Sequence, residues 1–275
     1  MKASKGFIAE TNGIDLFKTF NCGQCFRWEQ SEDGFFEGVA LGQFLRVKKE
    51  NNKLYFENMF EKDYNNIWKN YLDIETDYEK IAETFETDEY LEKAYDYGKG
   101  IKILKQDPFE TLISFIISQN NNIPRIKKII NLLCQHFGKK IKYKNKTYYA
   151  FPEILDLVGK TVEDLEVIRA GFRSKYILDA VQKISDKEII LETVSSMSYI
   201  EAKSELMKIK GVGEKVADCV LLYGFSKYCA FPKDVWILKT LKNHYCDEKN
   251  KCFGQYAGIA QQYLYYYSRN QKTNI

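Results

Sequence analysis

The spacing of apolar residues changes along the chain, and this change limits the folds open to it. Apolar and polar residues roughly alternate in three runs, 35–40, 43–47 and 53–57, separated by Gly and Asn turns. A period of two predicts an antiparallel meander. The stretch 63–95 predicts one or two helices. Beyond Gly100 the period is helical, with helices predicted at 108–117, 123–137, 154–157, 162–170, 175–184, 199–209, 215–223, 235–244 and 256–267. We expect an α+β protein, with an N-terminal antiparallel β-sheet domain at 1–98 and a mostly helical region at 99–275.

Charge is distributed unevenly between these two regions. The chain carries 41 Lys plus Arg and 38 Asp plus Glu, a net charge of +3. Residues 1–100 hold 13 basic and 20 acidic side chains, whereas residues 101–150 alone hold 10 basic and two acidic ones. The helical region is therefore the predicted surface for a polyanion. The acidic surface of the first region is expected to face away from phosphate.

Composition excludes several classes of protein. A chain that is 45% hydrophobic and 29% charged is typical of globular proteins rather than disordered ones. The sequence has no run of about 18 apolar residues, which excludes a membrane-spanning helix. The first ten residues lack the apolar core of a secretory signal. Seven scattered Cys residues suit reduced thiols better than a disulfide scaffold.

The most informative stretch is Gly211-Val212-Gly213, which lies between two predicted helices. Glycines allow a sharp turn and a close approach to a partner. The helix that follows presents free backbone N–H groups at this turn. The glycine turn and the helix N-terminus together form an anion site suited to a DNA phosphate. A simple connection between two helices has the same local pattern. From Gly-Val-Gly alone, both interpretations stand.

Lys215 and Asp234 add chemistry to this hairpin. Lys215 lies at the start of a predicted helix, where the positive end of the helix dipole disfavours an ammonium and exposes a nucleophilic amine. Asp234 precedes another predicted helix and has the position of an N-cap. A capped, ionised carboxylate stabilises positive charge that develops near it and assists proton transfer. Cys219 shares the helical face of Lys215, either as a small apolar side chain or as part of a polarised pair with the amine.

The hairpin, the loop around Pro232 and Asp234 together resemble the helix-hairpin-helix DNA glycosylase superfamily, and the resemblance covers residues 105–270. Lys215 implies a member that uses a Lys nucleophile and a Schiff base. Further motifs resemble the 8-oxoguanine DNA glycosylase branch. In Ser-Gln-Asn-Asn-Asn-Ile-Pro-Arg, the family places the first Asn, here Asn120, in the gap left by the flipped base. It places the Arg, here Arg125, against the orphaned cytosine.

A second motif, Ala-Gly-Phe-Arg, resembles the family's aromatic wedge followed by Arg. Phe172 is the implied wedge, and Arg173 the implied second reader of cytosine. The alternative for Phe172 is a core side chain. Its place between Gly and Arg, in a turn, favours exposure.

A third motif lies in the N-terminal region, where Gly23-Gln24-Cys25-Phe26-Arg27-Trp28 resembles the segment whose Gly carbonyl accepts the N7–H of 8-oxoguanine. Guanine has no such hydrogen, so Gly23 is the implied discriminator. Cys22 and Cys25 have the spacing of half a zinc site, but no second pair completes it. The spacing of Cys229, Cys246 and Cys252 does not form the iron–sulfur set of endonuclease III-type relatives.

The last motif, Ala-Gly-Ile-Ala-Gln followed by Tyr265, resembles the family's C-terminal helix. Gln261 is implied to bind the Watson–Crick edge of the base. Tyr265, where the family often has Phe, is implied to sandwich the base against Cys219. Two positions depart from the family pattern: Trp236 replaces a frequent His, and Ser268 its Asp partner. Loss of both together suggests a bacterial or archaeal variant in which Trp236 stacks in the base site.

The resemblance implies a bifunctional enzyme that flips 8-oxoguanine out of duplex DNA, excises it through a Schiff base on Lys215 and then cleaves the strand by β-elimination. The expected partner is double-stranded DNA with 8-oxoguanine opposite cytosine, and no cofactor is expected. The family's hairpin binds a monovalent cation through backbone carbonyls, here those of Met207, Ile209 and Val212. We expect a monomer in the cytoplasm of a prokaryote, associated with the nucleoid. The alternatives are a related glycosylase for oxidised pyrimidines and a non-catalytic DNA-binding module.

Overall fold

The computed structural model of the protein describes residues 6–11, 13–85, 87–245 and 253–271. Seven strands and fourteen α-helices lie within these ranges. The strands are β1 (Phe7–Glu10), β2 (Trp28–Gln30), β3 (Phe36–Ala40), β4 (Gln43–Glu50), β5 (Lys53–Phe56), β6 (Lys140–Tyr143) and β7 (Lys146–Tyr149). The helices are α1 (Leu16–Asn21), α2 (Glu61–Asp63), α3 (Lys69–Tyr71), α4 (Tyr78–Ala82), α5 (Glu89–Gly98), α6 (Pro108–Ser118), α7 (Ile123–Phe137), α8 (Ile154–Leu157), α9 (Arg173–Ser185), α10 (Leu191–Ser196), α11 (Tyr199–Leu206), α12 (Glu214–Phe225), α13 (Val235–His244) and α14 (Ala257–Gln271).

The N-terminal region is built on a five-stranded antiparallel sheet in the order β1-β5-β4-β3-β2. This arrangement confirms the predicted α+β class and the meander of β3, β4 and β5. The edge strands β1 and β2 were not predicted, because each is only three or four residues long. The acidic stretch after the sheet forms short helices rather than one or two, since Asp77 and Asp88 each cap a new helix start.

Two hydrophobic cores lie side by side. The smaller core collects residues from Ala9 to Ile74, together with Leu104, around the sheet. The larger core begins at Tyr78 and continues through α14, with Cys22 and Phe26 joining it from the N-terminal region. Because α5 packs against α14, the predicted boundary at residue 98 cuts through this larger core.

The helical region departs from prediction at two places. Residues 162–170 were predicted to form a helix but contain only a 3₁₀ turn, Asp164–Ile168, which ends at Arg169 in a left-handed conformation (φ 59°). A second antiparallel hairpin, β6–β7, follows α7 and was not predicted. Its rings pack on the first sheet, with Phe44 centred 4.2 Å from Tyr148 and 4.4 Å from Tyr143.

The β6–β7 hairpin also pairs the basic region with the acidic one. Lys146 Nζ lies 3.6 Å from a carboxylate oxygen of Glu37, and Lys144 pairs with Glu57. From α7, Lys127 Nζ contacts Glu29 at 2.8 Å. Part of the excess positive charge of residues 101–150 is therefore neutralised by the N-terminal region, and it does not all face a polyanion as the sequence suggested.

Gln24 joins the two regions at the base of the third sequence motif. Its side chain is fully buried, and its amide nitrogen donates to the carbonyl oxygens of Thr19 (2.9 Å) and Lys102 (2.8 Å). Its amide oxygen accepts from the backbone N–H of Leu104 at 2.8 Å. The loop that contains Gly23 is thus hydrogen-bonded to the segment that enters the helical region.

Replacing Gln24 with Leu is expected to lower the free energy of unfolding by about 2–4 kcal/mol, because the buried backbone groups Lys102 C=O and Leu104 N–H lose their partner and the Thr19 carbonyl keeps only the Cys22 thiol. Urea denaturation monitored by tryptophan fluorescence measures the change. Gln30→Leu, at the exposed end of β2, is the matched control and should change stability by less than about 0.5 kcal/mol. Equal losses in the two variants would contradict this role for Gln24.

Candidate active site

A small cavity lies where the two regions meet. Six residues predicted from separate motifs line it: Gly23, Lys215, Cys219, Asp234, Gln261 and Tyr265. They come from the N-terminal loop, α12, the loop before α13, and α14. The structure therefore brings together the predicted nucleophile, the predicted carboxylate and the predicted base-recognition groups, which are as far as 242 positions apart in sequence.

Lys215 lies in the first turn of α12 and is partly exposed to the cavity. Its ammonium nitrogen stands 5.2 Å from the centre of the Phe115 ring, which stacks on Tyr223. An aromatic face at this distance attracts a cation and holds the side chain in place. Sequence reasoning missed Phe115 and Tyr223, because both lie in apolar helices where an aromatic residue gives no signal beyond core packing.

Cys219 lies one turn beyond Lys215 on α12 and is 3% exposed. Burial raises the pKa of its thiol to about 11, although the neighbouring Lys215 lowers it in part. The thiol is consequently neutral at physiological pH. It presents a small, polarisable surface to the cavity rather than a second nucleophile.

Asp234 caps α13, as predicted, and accepts a hydrogen bond from the backbone N–H of Ile237 at 2.8 Å. Burial raises the pKa of this carboxyl above its ordinary value, while the bonds from the helix N-terminus and the charge of Lys215 act in the opposite direction. The cap aims the carboxylate at the cavity and sets it near the amine.

Gln261 is 4% exposed and is fixed on one side only. Its amide nitrogen donates to the carbonyl of Pro232 at 3.0 Å, whereas its amide oxygen is buried without a protein partner. A buried polar atom without a partner costs free energy unless a ligand or water satisfies it. Gln261 lines the cavity, and within the described part of the chain its amide oxygen receives no hydrogen bond.

A further hydrogen-bond chain fixes the cavity floor. The Tyr223 hydroxyl donates to the side-chain oxygen of Gln262 at 2.7 Å, and the Gln262 amide donates to the carbonyl of Cys22 at 3.0 Å. Gln262 is 1% exposed. The chain ties α12 and α14 to the residue before Gly23, and neither Gln262 nor Cys22 was assigned a role from sequence.

The hairpin between α11 and α12 has the conformation that the sequence predicted. Gly211 adopts φ +80°, and a Cβ there would lie 2.3 Å from the ring of Tyr176, so only glycine fits. Gly213 caps α12 without a side chain and is exposed, which leaves the first backbone N–H groups of α12 open to solvent. Asp179 supports the turn by accepting from the backbone N–H of Lys210 at 2.7 Å.

Phe172 and Asn120 are exposed on two turns outside the cavity, in addition to the exposed hairpin at Gly213. Phe172 is 53% exposed and sits edge-on to Tyr176, the ring that also packs against Gly211. Asn120 is exposed at φ +45°, in the turn before α7. Arg125 is exposed in the first turn of α7, and its backbone N–H is capped by Asn122.

Arg173 differs from its neighbours because it is 2% exposed. Its Nε donates to the carbonyl of Gln119 at 2.9 Å, and Nη2 donates to the carbonyl of Asn120 at 2.9 Å. Nη1 donates to the carbonyl of Ala170 at 3.2 Å. The guanidinium thus connects the turn that contains Phe172 to the turn that contains Asn120, with most of its donors in use.

Trp236, which was expected to stack in the base site, does not line the cavity, and neither does Ser268, which stands where the family has an Asp. The backbone N–H of Trp236 points to the carboxylate of Asp234. The Ser268 hydroxyl donates to the carbonyl of Tyr265 at 3.2 Å.

Within the described ranges, no three His, Cys, Asp or Glu side chains meet as a metal site. Cys246 and Cys252 fall outside those ranges. The cation predicted at Met207, Ile209 and Val212 stays a prediction. None of the described helices is long and apolar enough to cross a bilayer.

Known proteins share both the sequence and this arrangement. Residues 7–112 match the family model for the N-terminal domain of 8-oxoguanine DNA glycosylase. An N-glycosylase/DNA lyase of Saccharomyces cerevisiae is 30% identical over 270 residues, which cover 86% of this chain and 69% of the relative.

Two solved structures are also similar. The 8-oxoguanine glycosylase/lyase of Clostridium acetobutylicum, in complex with double-stranded DNA that has cytosine opposite 8-oxoguanine, is 41% identical with a TM-score of 0.90, covering 98% of this chain and 99% of that one. A structure described as MBOgg1 with a low-affinity DNA ligand is 42% identical with a TM-score of 0.93, covering 99% and 98%.

Replacing Arg173 with Met is expected to loosen the turn at 119–122, because three carbonyl oxygens lose a charged donor. Amide hydrogen exchange across these residues should accelerate at least about tenfold, the factor that the loss of one charged hydrogen bond produces. Arg125→Met, which removes an exposed charge from the same edge, is the control and should leave exchange unchanged. Equal effects of the two substitutions would refute this role of Arg173.

Proposed function

This chain belongs to the 8-oxoguanine N-glycosylase/DNA lyase family, and we propose how its residues carry out the reaction. The protein excises 8-oxoguanine from double-stranded DNA and cleaves the strand at the resulting site, in base excision repair. The observation that carries the assignment is the meeting of Lys215 and Asp234 with Gly23 and the unpaired amide oxygen of Gln261 in one cavity. Binding of phosphate alone requires none of these groups.

DNA binding begins at the exposed edges of the helical region. The open N–H groups at Gly213 donate hydrogen bonds to a backbone phosphate, because the helix dipole and the free donors favour an anion there. Phe172 inserts into the base stack, and Asn120 fills the space left by the extruded nucleotide. Enzymes that act on a base inside a duplex must extrude it, since the reacting atom is otherwise buried. The exposed guanidinium of Arg125 is placed to contact the orphaned cytosine.

Recognition of the lesion depends on one hydrogen that guanine lacks. The carbonyl of Gly23 accepts the N7–H of 8-oxoguanine, and the amide of Gln261 pairs with the Watson–Crick edge. Guanine would present a lone pair to the Gly23 carbonyl and leave it unpaired. A buried unpaired group of this kind costs about 1–3 kcal/mol, enough for substantial discrimination.

The glycosylase step forms a bond between the Lys215 nitrogen and C1′ as the bond from C1′ to the base breaks. The base leaves with the bonding electron pair and takes up the proton that the attacking nitrogen releases as it bonds to C1′. The carboxylate of Asp234 stabilises positive charge that develops on the sugar, and its cap on α13 holds it in position. The neutral thiol of Cys219 supports one face of the base without competing for C1′.

The lyase step proceeds from the same covalent bond. Loss of the amine proton and opening of the sugar ring give an imine between Lys215 and C1′. This imine acidifies C2′, so a proton leaves C2′ as the 3′ phosphate departs with its bonding pair. Water then hydrolyses the imine and restores the amine. We propose that the enzyme does this as a monomer in a prokaryotic cytoplasm, associated with the nucleoid.

The two alternatives explain less of the cavity. In this proposal the Gly23 carbonyl accepts the N7–H of a purine. Oxidised pyrimidines have no N7–H, so a glycosylase for them would not need this carbonyl. A non-catalytic DNA-binding module needs the hairpin at Gly211 and Gly213 but neither a capped carboxylate nor an adjacent amine.

Incubation with 8-oxoguanine duplexes and borohydride is expected to trap a covalent protein–DNA complex, with the highest yield opposite cytosine. Borohydride reduces the imine, so the Lys215→Gln variant should give no complex while it still binds the duplex. Gel electrophoresis measures trapping, and fluorescence anisotropy measures binding. The matched control is Lys233→Gln, an exposed lysine beside Asp234, which should still trap. Absence of a complex with the wild-type protein on every 8-oxoguanine duplex would overturn the assignment.

The raised pKa of Asp234 predicts a pH dependence. The ionised carboxylate is the active form, and its folded-state pKa lies above the ordinary value, so activity should be lost as pH falls through a value above about 4. The profile of kcat/KM reports this group in the free enzyme. Asp234→Asn keeps an N-cap but removes the charge, and it should lower the rate about 10²–10³-fold and abolish the acid limb. An unchanged acid limb in this variant would assign it to another group.

A further inference from the structure

The base pocket, as it stands in this structure, is too small for a base. The cavity that joins Lys215 to Gln261 has a volume of about 50 Å³. That is room for a few water molecules, which need on the order of 10–30 Å³ each, and not for a purine. Because the inference takes this cavity as the base pocket, it rests on the proposed function.

The ring of Tyr265 closes the pocket against Gly23. A Cβ at Gly23 would lie 3.2 Å from both Cε1 and the hydroxyl oxygen of Tyr265, so the ring lies directly on the Gly23 backbone. Gly23 also lines a second cavity of about 220 Å³. The Tyr265–Gly23 contact therefore lies beside the small pocket, at a residue that this pocket shares with the larger cavity.

Arg269 contacts Tyr265 from the side of this second cavity. It lies one turn further along α14, on the same helical face, and also lines the larger cavity. Its Nη1 stands 3.5 Å from the Tyr265 hydroxyl, and its guanidinium carbon stands 5.9 Å from the ring centre. The guanidinium thus touches both the polar tip and the face of the ring.

We propose that Tyr265 is a gate that closes the base pocket in the DNA-free enzyme, and that Arg269 is a positioning residue that holds the gate through the Tyr265 hydroxyl. An extruded base enters only when the ring leaves Gly23. After entry, the ring covers the base and the hydroxyl turns away from its closed position. A Phe at position 265 would form the same lid without the hydroxyl that Arg269 contacts.

The gate has a thermodynamic consequence. When only a fraction of the enzyme molecules is in the state that can bind the base, the observed affinity is lower than the affinity of that state by the same fraction. Each base that samples the pocket must therefore supply the free energy of opening. Removal of the Arg269 contact should raise the open fraction, even in the absence of DNA.

Cys219 reports the open fraction without DNA, because it lines the closed pocket at 3% exposure. Its rate of modification by methyl methanethiosulfonate is measured by peptide mapping at constant pH. Tyr265→Phe and Arg269→Met are each expected to accelerate modification about two- to tenfold, the range set by the loss of one hydrogen bond. The double variant should match Arg269→Met, since that substitution alone already removes every contact of Arg269 with the ring, including the one to the hydroxyl that Tyr265→Phe removes.

Two controls separate a gate from general loosening of the fold. Cys134 is buried in α7 at 1% exposure and does not line the pocket, so its modification rate should stay constant in all variants. Lys127→Met removes a different cation that lines the second cavity and should leave Cys219 unchanged. Unchanged Cys219 rates in both single variants, multiplied effects in the double variant, or parallel acceleration at Cys134 would each overturn the proposal. Borohydride trapping by the wild-type protein tests the proposed function independently of these outcomes.

Discussion

The buried amide of Gln24 is the interaction on which the base pocket depends. The residues around it alternate between the two cores: Cys22 and Phe26 pack into the helical core, whereas Cys25 and Trp28 pack into the sheet core. Gln24 lies between them and bonds to backbone on both sides. Gly23 is therefore held in a pocket whose other walls belong to α6, α12, the loop before α13 and α14. If this junction shifted, Gly23 would move relative to Lys215.

Electrostatics links the two regions as well as serving DNA. In the lysine pairs the helical region supplies the cation, whereas Arg27 of the N-terminal region supplies the cation that pairs with Glu110 of α6. The two charged groups are 3.3 Å apart, and neither side chain is much exposed. Breaking such a partly buried pair is costlier than breaking a surface pair, because one charge remains unsatisfied. The uneven charge along the chain thus has two uses. Some lysines of the basic region hold the acidic region in place, and others, together with the open helix N-terminus at Gly213, remain available to phosphate.

Much of the architecture could be predicted from local pattern. The helices 123–137 and 235–244 have the predicted bounds, because each begins at an Asn or Asp cap and keeps an apolar face. The β6–β7 hairpin could not be predicted, since its strands are four residues long, rich in Lys and stabilised by Phe44, Glu37 and Glu57 from a distant part of the chain. The turn after Ile168 could not be predicted either, because Arg169 adopts a left-handed conformation that an arginine rarely takes.

The sequence by itself determined local features: a Lys215 at a helix N-terminus, a capping Asp234, and a glycine at position 211, where a side chain would block the turn. These properties depend on residue type and short spacing, which are local. Only the tertiary structure decided how the groups act together. It buried Arg173 beneath the Asn120 turn, left the Gln261 oxygen without a partner, and placed Tyr265 on Gly23 with Arg269 beside it. Burial and orientation arise from packing between distant segments, so no local pattern can specify them.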